Sequence, residues 1–100
     1  MGTKDAYAVW PEDVIEEVSR LELILADGYE DALIGYVEQF GRPPIALYDK
    51  NRCIEILTER DQMTHAEAVE FFEFNTLGAW VGEETPAFAT LLRTPQIAVH

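Results

Sequence analysis

The sequence predicts a small α+β domain, with a two-stranded antiparallel hairpin packed against three or four helices. Three observations carry that expectation. Two β-prone runs within residues 32–48 flank Gly41-Arg42-Pro43-Pro44, a break that two prolines keep out of any ladder or helix interior. Asp49 precedes a helical pattern as a good N-cap. Thr64-His65-Ala66-Glu67 is a capping box, which marks a second helix start. One hundred residues make one domain with room for one core, and a chain this short buries about two-thirds of its unfolded surface.

Taken in order, residues 1–10 read as a loose arm anchored by Val9 and Trp10. Pro11 suits a first helical position, and Glu12, Asp13, Glu16 and Glu17 crowd the following turns, where the helix dipole favours negative charge. Val14, Val18, Leu21 and Leu25 share one helical face, so a helix is expected over 11–27 with Gly28 as its stop. The LELILA segment, residues 21–26, is the exception. It either completes this helix or forms a strand that turns at Asp27-Gly28. In 32–48, Ile34, Tyr36, Glu38 and Phe40 alternate with Leu33, Gly35, Val37 and Gln39, and both faces carry apolar groups. Ile45 to Tyr48 is the returning strand, after a loop of about four residues.

A helix over 50–60 places Cys53, Ile54 and Leu57 on one side. The next helix is expected over 65–81 and closed by Gly82. At 100° per residue, Ala68, Val69, Phe72, Thr76, Ala79 and Trp80 form its core stripe, while Phe71, Phe74 and Leu77 fall among Glu67, Glu70 and Glu73. Two explanations of that second apolar face stand side by side: the helix is central and covered on both sides, or the face is exposed. Asn75, at the edge of the stripe, is expected to bond loop backbone near the GEETP turn. Thr85-Pro86 repeats the cap-and-proline signal and predicts a short helix over 86–93, followed by a tail over 94–100.

Charge narrows the function. Nineteen acids against seven bases give −12, which opposes direct binding to nucleic acid and to anionic membranes. It suits either a basic protein partner or plain solubility. The lone Cys53 excludes an internal disulfide. The polar opening sequence and the lack of a long apolar run lead to the expectation of a cytoplasmic protein. Catalytic chemistry finds little footing. Ser19, the single serine, has no evident base, and Cys53 lies on an apolar helix face. His65 at a helix start reads as solvated. Gly78 to Gly82 is spaced for packing or capping, not for a phosphate loop. No cofactor motif is present. Glu70, Glu73, Glu83 and Glu84 are the only carboxylate set offered for a metal such as Mg²⁺.

YDKNRCIEIL, the Glu-rich Phe-Phe-Glu-Phe-Asn helix, Gly-Ala-Trp-Val-Gly-Glu and Thr-Pro together resemble a group of small uncharacterised phage and bacterial proteins that share EAxE(F/Y)FEFNxxGA(W/Y)xGExTP. The resemblance covers about residues 31–88. It implies a phage or prophage setting and no transferable activity. The positions matching it are Tyr48, Asp49, Glu67, Glu70, Glu73, Asn75, Gly78, Gly82, Glu83, Thr85 and Pro86.

The resulting expectation is a non-enzymatic acidic module that binds and occludes a basic protein, with Phe71, Phe74 and Leu77 as anchors and Glu67, Glu70, Glu73, Glu83 and Glu84 as the charged surround. Its sharper form is an inhibitor that mimics nucleic acid towards a host defence complex. The alternatives are a homo-oligomer joined through the second apolar face and a small carboxylate-based, metal-dependent enzyme.

Overall fold

The computed structural model describes residues 10–93, and the architecture is α+β. Helix α1, Glu12–Leu21, is followed by an extended segment and a 3₁₀ turn, Glu30–Ala32. Strands β1 (Leu33–Val37) and β2 (Ile45–Asp49) come next, then α2 (Lys50–Arg60) and α3 (His65–Phe71). A π-helical stretch, Phe72–Leu77, extends α3, and strand β3, Ala87–Ala89, ends the described chain. The sheet order is β1-β2-β3. β1 and β2 are antiparallel, with Gly35 opposite Leu47 and Val37 opposite Ile45, whereas β3 lies parallel to β2 with Phe88 beside Tyr48.

The hairpin is therefore part of a mixed three-stranded sheet. Its loop, residues 38–44, is longer than expected, because β1 ends at Val37 and leaves Phe40 fully in solvent. The predicted helix over 86–93 is replaced by β3. Thr85 has the hydroxyl that a helix cap would use, but that oxygen accepts from the Val81 amide (2.9 Å) and donates to the Gly82 carbonyl (2.7 Å). Phe88 instead stacks on Tyr48, with ring centroids 5.5 Å apart, and meets Phe72 edge-on at 5.0 Å. Those two aromatic contacts require an extended backbone beside β2.

α1 also stops early, at Leu21 rather than near Gly28. Glu22 takes a left-handed φ of 53°. Its amide bonds Ser19 O (3.1 Å) and the Leu23 amide bonds Val18 O (3.2 Å), the paired bonds of a Schellman closure. Residues 23–26 are then neither helix nor strand. Leu23, Leu25 and Ala26 pack on the core, and the Ala26 amide donates to the Tyr48 hydroxyl at 2.8 Å. Gly28 sits in the following turn with φ 92°, its carbonyl accepting from Arg60 Nη1 at 2.7 Å. Of the expected N-terminal anchors, Trp10 donates its indole N–H to Glu30 O at 3.0 Å. Val9 and the rest of the arm, like the tail over 94–100, lie outside the described residues.

The core is Tyr29, Ala32, Ala46, Tyr48, Cys53, Ile54, Ile56, Leu57, Ala68 and Phe72. Asp49 caps α2 as expected, its Oδ1 accepting from the Asn51 and Arg52 amides at 3.0 and 3.5 Å. Both halves of the Thr64–Glu67 capping box are formed, at 2.9 and 3.1 Å. Among the described residues, no helix is long and apolar enough to cross a membrane.

Candidate functional site

The expected site rests on the helix that begins at His65, and its geometry depends on a change of helical pitch. From Phe72 the backbone widens to a π-helix. Asn75 reaches back with its side-chain amide to Phe71 O at 3.2 Å, the acceptor its own backbone amide would use in an α-helix. The wider turn lets Phe72 be fully buried while Thr76 Oγ1 pairs with the Tyr29 hydroxyl at 2.8 Å. The regular structure then ends at Leu77, and Gly78 begins the exit.

This corrects three expectations. Ala79 and Trp80, assigned to the core stripe, are exposed, because the 100° period no longer holds after Phe71 and the helix ends before them. Trp80 is 74% exposed. Asn75 bonds its own helix and not the GEETP turn, which Thr85 closes alone. Gly82, with φ 108°, serves that turn rather than a helix end.

The second apolar face of the helix is open among the described residues. Phe71 is 38%, Leu77 48% and Phe74 77% exposed. Phe71 and Phe74 line a broad groove of about 490 Å³ together with Glu67, Glu70 and Asn75. Its far wall is Asp61, Gln62 and Met63, which the sequence reading did not include. These three follow the end of α2, where Gln62 takes a left-handed φ of 59° and turns the chain towards α3. A helical pattern that stops at Asp61 and restarts at Thr64 was the signal that they form a corner. The groove does not include Glu73, Leu77, Glu83 or Glu84. Glu73 leans to the other side and meets Lys50 at 3.7 Å, and Glu83 and Glu84 lie in the turn after Gly82.

The charges are unevenly compensated. Arg20 pairs with Glu17, Arg52 with Asp31, Glu55 and Glu59, Arg60 with Asp61, and Lys50 with Glu73. Among the described residues, no basic side chain forms an ion pair with Glu67 or Glu70. Asp61 differs: its hydrogen bonds from Arg60 hold its carboxyl below the usual aspartate range.

Other chemistry is sparse. Burial pushes the Cys53 thiol up to about 12, with the nearby Asp49 charge adding to the shift, so the group is a neutral thiol at pH 7. Tyr48, at 1% exposure, is a core residue whose hydroxyl orders the segment before the hairpin. Pro86, immediately before β3, is half-buried. Among the described residues, no group of three or more His, Cys, Asp or Glu side chains is arranged to hold a metal ion, and Glu70, Glu73, Glu83 and Glu84 do not converge.

No family model, curated protein or solved structure matches the chain. The functional reading therefore rests on the groove and its charges.

Proposed function

We propose that the chain is a non-enzymatic interaction module that binds a protein partner over the acidic-aromatic face of α3 and its π-helical extension. The carrying observation is the exposure of Phe71 and Phe74 beside Glu67 and Glu70, carboxylates without ion-pair partners among the described residues. Aromatic anchors inside a charged surround are the make-up of a protein contact. The mechanism is occlusion: the rings bury against the partner while the carboxylates steer and select it. The net charge of −12 supports a basic partner, and in its sharper form a partner whose basic surface otherwise holds nucleic acid. The resemblance over residues 31–88 supports a phage or prophage setting.

Site-specific photo-crosslinking tests this reading. A benzophenone side chain at position 74 is expected to give an adduct with a foreign protein that an identical group at the exposed position 16 of α1 does not give. An adduct between two copies of the chain would replace the proposal with self-association. No adduct at position 74 would remove the face from consideration.

A further inference from the structure

Resting on that reading, we infer that the groove between the α2–α3 corner and the helix takes an arginine-bearing apolar segment of its partner. Three observations choose this occupant. Apolar groups share the lining: Phe71 and Phe74 are exposed, and Met63 packs against the core at the far wall. The walls carry Asp61, Glu67 and Glu70, and of these only Asp61 has an ion-pair partner among the described residues. Glu67 spends one oxygen on the Thr64 amide, which fixes the side chain along the groove wall and leaves the other oxygen for a donor.

A second copy of the chain is a poor occupant. Packed face to face about a two-fold axis through the groove, it would bring Glu67, Glu70 and Asp61 of one molecule close to the same carboxylates of the other, and like charges in a closing interface are repulsive. Nucleic acid and anionic lipid meet the same objection. A cation flanked by apolar groups meets none. Guanidinium suits the groove better than ammonium: it is planar, more weakly hydrated, stacks on aromatic rings and donates to two carboxylate oxygens at once.

The test uses the full chain, labelled with ¹⁵N, and two short amphipathic peptides. One is built of Arg, Leu and Ala, and its twin has Gln at every Arg position. The Arg peptide is expected to shift the amides of residues 61–77. Its affinity should fall by about tenfold or more between low and high salt, as screening weakens exposed ion pairs. Glu70→Gln and Phe74→Ser should each weaken it about fivefold or more, while Glu16→Gln on α1 should not. Both groove side chains are exposed, so the variants keep the dispersed spectrum of the parent. Equal binding of the two peptides would overturn the arginine inference and leave the aromatic-face reading standing. Shifts centred on α1, no shifts at all, or a doubling of solution mass through this face would each overturn the inference. A crosslinked partner at position 74 together with indifference to the Arg peptide separates its failure from that of the broader proposal.

Discussion

Phe72 and Phe74 are two residues apart and have opposite fates. Phe72 is fully buried among Tyr29, Phe88 and the Lys50 ammonium, which stands 5.9 Å from its ring centre. Phe74 is 77% exposed. Phe72→Ala should cost about 3–5 kcal/mol, the range for emptying a buried aromatic site. Phe74→Ser should stay within about 0.5 kcal/mol, as surface changes do. Urea unfolding of both variants measures the contrast, and a large loss from Phe74→Ser would mean that the ring is covered. This separation was legible in the sequence, since the helical wheel sets Phe72 and Phe74 on different faces. Trp80 was not. Its assignment assumed a constant 100° step that the π turn breaks, and that turn depends on Thr76 finding the Tyr29 hydroxyl from a distant part of the chain.

At the scale of elements, starts were easier to read than stops. A start is written in local chemistry, and the caps at Asp49 and Thr64 are where their side chains predict. Thr64→Ala should cost about 1 kcal/mol, because the Glu67 amide loses its acceptor and the reciprocal box opens. Thermal or urea unfolding measures it, and restoration by Thr64→Ser would show that the hydroxyl, not the methyl group, is responsible. Stops are set by tertiary packing. Glu22 adopts a left-handed conformation that glycine would take more easily, and it does so because Leu23 is drawn into the core. Glu22→Gly should therefore stabilise the fold by about 0.5 kcal/mol, the strain relieved exceeding the extra chain entropy of glycine by that margin. An unchanged or lowered denaturation midpoint would show that Glu22 makes a compensating contact. The same logic explains β3. Thr85-Pro86 carries a helix-start signal, yet the hydroxyl is occupied within its own turn and Phe88 finds two rings only from an extended backbone.

For the whole molecule, the α+β class followed from the order of the patterns, whereas the parallel pairing of β3 required knowing that Phe88 and Tyr48 would meet. The core they share also sets the response to alkali. Cys53 and Tyr29 are both buried, and burial is the main reason that both hold their protons more tightly than in the unfolded chain. The sign follows directly: where the folded state binds more protons than the unfolded one, stability falls as pH rises. For Cys53 the contribution is complete below the unfolded thiol value of about 8.5. It declines from there and is lost as pH passes through the folded value of about 12. Tyr29 adds a loss of the same sign at higher pH, above the ordinary tyrosine range. The net charge of −12 at neutral pH becomes more negative along the way, so self-repulsion acts in the same direction. Denaturant midpoints measured from neutral pH to about pH 10.5 should fall progressively, with the thiol the first group responsible. Cys53→Ala tests the assignment. It lowers stability at neutral pH by leaving a small cavity, but it removes a buried acid, so its decline with pH should be shallower than the parent's. Native Cys53 should also resist alkylation at pH 8 until denaturant unfolds the chain. Parallel decline of the two proteins would show that the thiol does not titrate against the fold and that Tyr29 and charge repulsion govern the alkaline limb.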